Sequence, residues 1–182
     1  SLELLDIPTE KLFYYDGKPT EISKLFFPSL GNFSPEELKW IREKFFKKLN
    51  IKPTPKRLIY ISRSDADKRK VINEPELIEF LKGQGFEIYT LTGMEFQEQI
   101  KLFSEAKVVI GPNGAGLTNI IFASEENLLV ELMPNDEVNH SLWLLTSSLG
   151  QKYTYLVGEN YTANRDFIVS IPKLESLLKS VM

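Results

Sequence analysis

The sequence predicts a doubly wound α/β domain, a mostly parallel, Rossmann-like sheet with helices on both faces. Three observations carry this. Past Pro55, short β-rich runs alternate with segments of helical period. The runs are continuously apolar, Lys107-Val108-Val109-Ile110-Gly111 above all, as in strands buried on both faces. A length of 182 residues suits one domain with a core of its own.

Residues 1–55 read as a lead-in segment with one helix packing on the domain, and residues 56–182 as the domain itself. The lead-in is irregular, aromatic and Pro-interrupted (Phe13, Tyr14, Tyr15, Phe26, Phe27, Pro28). It is either a strand that packs on the domain or the edge of something larger. Its helix spans 34–49: Ser34 caps it, Pro35 fits the first helical position, and Glu37 completes a capping box. Leu38, Ile41, Phe45 and Leu49 follow at helical spacing, with Lys47 and Lys48 at the negative end. Pro53 and Pro55 stop it.

Arg57 to Ser62 is the first strand. Asn73-Glu74-Pro75-Glu76 starts a helix that Gly83 and Gly85 close, and Phe86 to Leu91 is the second strand. A capping box from Thr92 to Glu95 opens a helix with Phe96, Ile100 and Phe103 on one face. Lys107 to Gly111 and Leu128 to Leu132 are the third and fourth strands. Between them lie a Gly-rich turn and a short helix from Asn119 to Ala123. A helix over His140 to Leu149, a strand at Tyr153 to Val157 and a helix from Pro172 complete the series.

Composition narrows the function. A formal net charge of -3 provides no basic field, so nucleic acid is not an expected partner. Without cysteine there is no disulfide, thiolate metal site or cysteine nucleophile, and one His leaves little for a metal cage. No apolar run reaches the roughly 18 residues of a membrane span.

In a doubly wound fold, ligands bind past the carboxyl ends of the strands. Ser62, Arg63 and Arg69 follow the first strand. Asn113, Gly114, Ala115, Gly116, Leu117, Thr118 and Asn119 follow the third, and Glu131 ends the fourth. Together they describe a nucleotide-diphosphate site. Gly114 and Gly116 let backbone N–H groups approach an anion, and a helix start adds partial positive charge. Arg63 and Arg69 supply charge-assisted bonds of roughly 1.5–3 kcal/mol each to phosphate oxygens. Glu131 is an acceptor suited to ribose hydroxyls. Singly, each has an ordinary alternative: a tight turn, a solvated arginine, a surface acid. The loop is G-x-x-G-x-G rather than the dinucleotide fingerprint, and no P-loop is present.

Tyr60-Ile61-Ser62-Arg63, Arg69, Asn73-Glu74, Gly85-Phe86, Glu98-Gln99-Ile100, Ala106, Gly111, Gly114-Ala115-Gly116-Leu117-Thr118-Asn119 and Glu131-Leu132 resemble the carboxyl-terminal half of glycosyltransferase family 61. The resemblance runs from about Arg57 to about Tyr155. It implies an inverting, metal-independent glycosyltransferase of two Rossmann-like domains (a GT-B architecture), of which this half holds the nucleotide-sugar donor. Arg63 and Arg69 would face the diphosphate, Gly114 to Asn119 would line it, and Glu131 would hold the ribose. No cofactor is implied beyond the donor. The acceptor would be a glycan or glycoprotein, and bacterial relatives often serve polysaccharide biosynthesis such as capsule formation. The compartment would be the cytoplasm in a bacterium, or the secretory-pathway lumen in a eukaryote.

Two departures matter. The family writes His where this chain has Asn113, which keeps hydrogen bonding but carries neither proton nor charge. The acceptor-side half is largely missing, so the general base is expected outside this chain and the chain alone is expected to be inactive. The rivals are a non-catalytic module binding a sugar nucleotide or partner protein, and a dinucleotide-binding oxidoreductase. The latter is disfavoured by the glycine spacing and by Leu91-Thr92 where an acidic residue would close the second strand.

Other features are read as ordinary. Asp65-Ala66-Asp67 resembles a D-x-D metal clamp but is expected to be a solvated loop. His140 is assigned a capping or surface role, and Trp40 and Trp143 are assigned to the core. Asn32-Phe33-Ser34 and Asn160-Tyr161-Thr162 fit the glycosylation sequon.

Overall fold

The five strands expected after Pro55 all form, in one parallel sheet. The computed structural model describes residues 2–26, 34–136 and 139–182. Phe27, Pro28 and Asn32-Phe33 of the first sequon lie outside the described residues, as do the side chains of Asn160 and Tyr161 in the second. The elements are α1 (Pro35–Leu49), β1 (Arg57–Ile61), α2 (Glu74–Gly83), β2 (Glu87–Tyr89), α3 (Phe96–Ser104), β3 (Ala106–Pro112), a 3-10 helix (Ala115–Phe122), β4 (Leu128–Met133), α4 (Ser141–Ser148), β5 (Lys152–Val157), β6 (Glu159–Tyr161), β7 (Phe167–Ile168) and α5 (Ile171–Val181).

The sheet order is β2-β1-β3-β4-β5, every pair parallel. Register pairs Ile59 with Val109, Val109 with Leu129, and Leu129 with Tyr153. Because side chains alternate, these residues face α1, α3 and α4 in one core with Phe45, Phe103, Phe122 and Leu145. Tyr60, Val108, Ile110, Val130 and Leu132 face the other way, onto α2 and α5, with Leu77, Leu81, Leu174 and Leu178. The fold is thus doubly wound. The chain leaves β1 for β2 on one side and returns to β3 on the other, so the order reverses between β1 and β3, the position where this architecture opens a crevice.

Several local expectations are corrected. The α1 capping box is only half formed: Ser34 Oγ accepts from the Glu37 N–H at 3.4 Å but donates to Glu36, not Glu37. The box before α3 sits at Glu95 and Glu98, three residues beyond Thr92. α2 does start at Glu74 as expected, and the Asn73 side chain exchanges two 2.9 Å bonds with the Val169 backbone, tying α2 to the segment leading into α5. The Gly-rich turn enters a 3-10 helix at Ala115, four residues earlier than expected. The antiparallel pair β6–β7 was not anticipated.

Trp40 and Trp143 are not core residues, being 56% and 49% exposed. The buried stripe of α1 runs through Phe45 and that of α4 through Leu142 and Leu145, and each Trp lies off its stripe. In the lead-in, 3-10 turns form at Glu3–Leu5 and Thr9–Lys11, and Leu4 and Leu5 touch the core. Residues 12–26 form no strand, and Phe13, Tyr14, Tyr15 and Phe26 stand exposed.

Candidate functional site

At the reversal point, the carboxyl ends of β1 and β3 border an open cavity of about 190 Å³, lined by Ser62, Arg63, Asp65, Leu91, Thr92, Pro112, Gly114 and Gly116 among others. Arg63 lies across the loop that follows β3. A Cβ built on Gly114 would fall 2.0 Å from Arg63 Nη1. The room left by the missing side chain is therefore filled by the guanidinium. Gly116 serves similarly for Leu91, whose Cδ1 would lie 2.9 Å from an added Cβ. Arg63 makes one long bond, Nη2 to the Lys68 carbonyl at 3.4 Å, and its buried Nε has no hydrogen-bond partner.

Arg69 reaches the same region from the other end of the loop after β1. Its backbone is left-handed (φ 61°), a conformation costing a residue of this type of order 1–3 kcal/mol. The segment ahead of β7 secures it: Arg69 N–H donates to Asn164 O at 3.1 Å and Lys70 N–H to Asp166 Oδ1 at 2.9 Å. Arg69 Nη1 then donates to Asn113 Oδ1 at 2.5 Å. Burial, and next to it the charge of Arg69, push the Arg63 guanidinium below its ordinary pKa. Two cations sharing a half-buried crevice favour an anion between them.

Behind Asn113 lies a polar chain that sequence reading did not find. Asn113 Nδ2 donates to Glu131 Oε1, and Tyr153 Oη donates to Glu131 Oε2 at 2.6 Å. Glu131 is fully buried, 0% exposed, because β4 continues to Met133 instead of ending at the carboxylate. It is no surface acid. Burial, then the bond to Glu131, hold the Tyr153 phenol well above its ordinary pKa, so it remains a donor at neutral pH. Tyr153 carried a signal in hindsight: β-sheet alternation puts it on the same face as Leu129 and Glu131.

The remaining residues of the expected set disperse. Leu117 enters the core. Ala115 and Thr118 are exposed, and Asn119 Nδ2 donates to Gln99 Oε1 at 2.8 Å, tying the 3-10 helix to α3. The structure thus brings together Arg63, Gly114, Gly116, Arg69 and Asn113, with Glu131 beneath. Among the described residues, no cluster of three His, Cys, Asp or Glu is placed to hold a metal, and no helix is long and apolar enough to cross a membrane.

Asn113 accepts from a cation on one side and donates to a carboxylate on the other. A neutral imidazole can do both with its two nitrogens. Asn113→His should therefore be much less destabilising than Asn113→Leu, although Leu shares the branched outline of Asn. The Leu variant removes a buried donor from Glu131 and should lose about 2–4 kcal/mol in urea unfolding. Equal losses in the two variants would show that the paired hydrogen bonds do not matter.

A second cavity, about 570 Å³, opens at the carboxyl ends of β4 and β5, beneath the first turn of α4. Met133, Asn135, Asn139, His140, Trp143, Tyr153 and Tyr155 line it. His140 stands exposed at the helix start and makes no capping bond. Asn139 Oδ1 instead accepts from Ser141 N–H at 2.9 Å.

The Glycosyltransferase 61 family model matches residues 10–130. The chain is similar to the EGF domain-specific O-linked N-acetylglucosamine transferase of Gallus gallus, with 33% identity over 81 residues, 42% of this chain and 15% of that protein. It is also similar to two Oryza sativa subsp. japonica beta-1,2-xylosyltransferases. RCN11 is 33% identical over 35% of the chain and 14% of its own length, and XAX1 is 31% identical over 59% and 20%. The matched stretches thus span a fifth or less of each of these relatives.

Proposed function

Because the chain belongs to glycosyltransferase family 61, we propose that its crevice between β1 and β3 holds the diphosphate of a nucleotide-sugar donor for an inverting transfer to a glycan or glycoprotein. The observation that carries the reading is the pair of arginines converging there. Arg63 has a buried, unpartnered Nε, and Arg69 is aimed by a left-handed backbone and fixed to Asn113. As the bond from the sugar's anomeric carbon to the diphosphate breaks, negative charge grows on the departing oxygen. Guanidinium N–H groups already in place favour that state over the ground state. Asn113 orients Arg69, and Glu131 orients Asn113. Neither has to move a proton in this scheme. The base that takes the acceptor's hydroxyl proton is assigned to the acceptor side, outside this crevice. The three relatives named above transfer xylose or N-acetylglucosamine by their names, so these sugars are the first donors to test.

Calorimetric titration of the chain with uridine and guanosine diphosphate-sugars, and with NAD, checks the reading. Heat should appear for a sugar nucleotide and not for NAD. Micromolar binding of NAD with no response to any nucleotide sugar would overturn it in favour of an oxidoreductase-type site.

A further inference from the structure

We propose that the cavity between α4 and the ends of β4 and β5 is the site for the base of the nucleotide, an aromatic heterocycle stacked between Trp143 and Tyr155. The inference rests on the donor reading above and adds to it the part of the ligand that no residue of the diphosphate crevice recognises. Its first support is position. The crevice lies between β1 and β3, and the second cavity between β4 and β5, so two strand spacings, roughly 10 Å, separate them along one carboxyl rim. A nucleoside laid along that rim passes over Asn113 and Tyr153, which the Glu131 carboxylate joins from below.

The second support is the character of the walls. Trp143 comes from α4 and is 49% exposed, while Tyr155 comes from β5 and is 54% exposed. Two exposed aromatic faces from different elements on one cavity suit a flat ring. His140 meets Trp143 edge-on (ring centroids 6.4 Å, 73°), and Tyr153 lies beside Tyr155 (6.3 Å, 34°), which steadies both faces. Among the described residues, no Lys, Arg, Asp or Glu lines the cavity, which suits an uncharged moiety better than a phosphate. Asn135 and Asn139 also line the cavity, and their amides suit the polar edge of a base. In Asn139 the oxygen already holds Ser141, which leaves its NH₂ to donate.

The test uses the whole chain with uridine diphosphate, guanosine diphosphate and inorganic pyrophosphate, titrated by calorimetry and by tryptophan fluorescence. The wild type should bind at least one nucleoside diphosphate about tenfold or more tightly than pyrophosphate, with quenching that survives in Trp40→Phe and disappears in Trp143→Phe. Trp143→Ala and Tyr155→Ala should each weaken the nucleoside diphosphate by about tenfold or more and leave pyrophosphate unchanged, as loss of a stacking partner would. Both residues are half exposed, so these variants should keep the wild-type circular dichroism and unfolding midpoint. If nucleoside diphosphate binding falls in Arg63→Ala but not in the aromatic variants, the base lies elsewhere; this inference then fails while the donor reading stands. Loss of binding to a xylose or N-acetylglucosamine oligosaccharide in Trp143→Ala, with nucleotide affinity intact, would make the cavity an acceptor site and overturn the inference too. If the wild type binds no nucleoside diphosphate, the donor reading fails first and this inference with it.

Discussion

Glu131→Ala is expected to destabilise the chain by about 3–5 kcal/mol, lowering its melting temperature by roughly 6–20 °C at about 2–4 °C per kcal/mol for a chain of this size. Glu131 is wholly buried, and its two oxygens receive Asn113 Nδ2 and Tyr153 Oη. Truncation strands the Asn113 amide in the interior and leaves a cavity between β3, β4 and β5. Tyr153 suffers less, because it is only half-buried and lines an open cavity, where water can replace the carboxylate. Glu131→Gln should cost only about 1 kcal/mol, since the amide oxygen can accept from Asn113 and the amide nitrogen can donate to the Tyr153 oxygen. Differential scanning calorimetry of the three proteins distinguishes these outcomes. An Ala variant that melts with the wild type would mean that the buried chain from Arg69 to Tyr153 does not hold the site together.

Arg63→Ala should weaken nucleoside diphosphate binding about tenfold or more, the loss of a charge-assisted contact. Gly114→Ala should reach a similar result by another route. The new Cβ would lie 2.0 Å from Arg63 Nη1, so the guanidinium must swing out of the crevice. The main chain at Gly114 is extended (φ 175°) and accepts any residue, and the clash falls on the tip of a flexible side chain. The unfolding midpoint should therefore change little while affinity falls. Both substitutions act on one guanidinium, so the double variant should bind no worse than Arg63→Ala alone. Fully additive losses in the calorimetric cycle would show that Gly114 contributes by its own backbone, as an anion-approach glycine. Unchanged affinity in Arg63→Ala would remove that residue from the site.

Legibility in the sequence followed the range of the interaction. Val108-Val109-Ile110 and Leu128-Leu129-Val130 announced doubly buried strands because an apolar run needs no knowledge of its neighbours. The start of α1 was readable because Ser34 and Pro35 act within one turn. The box before α3 was misplaced by three residues because Thr92 and Glu95 satisfy the same local pattern as Glu95 and Glu98. Asn73 starts α2 as local sequence suggests, yet the partner of its side chain is Val169, 96 residues away. The two Trp were assigned to the core because they fall on helical apolar faces, but the stripe that is buried depends on what each helix packs against, and it leaves them outward.

The sequence by itself determined the fold class, the family resemblance and the set of polar residues placed past the strand ends, since period, turn chemistry and motif order are properties of neighbouring residues. Only the tertiary structure decided which of those residues meet. It set the order β2-β1-β3-β4-β5 that opens the crevice beside Arg63. It filled the space over Gly114 with that arginine, and it bent the chain after β6 so that Asn164 and Asp166 aim Arg69. It also moved Glu131 from an expected rim acceptor to a buried support for Asn113. The reason is physical: these contacts join residues 18 to 96 positions apart, and no local propensity encodes which distant partner a buried donor or acceptor will find.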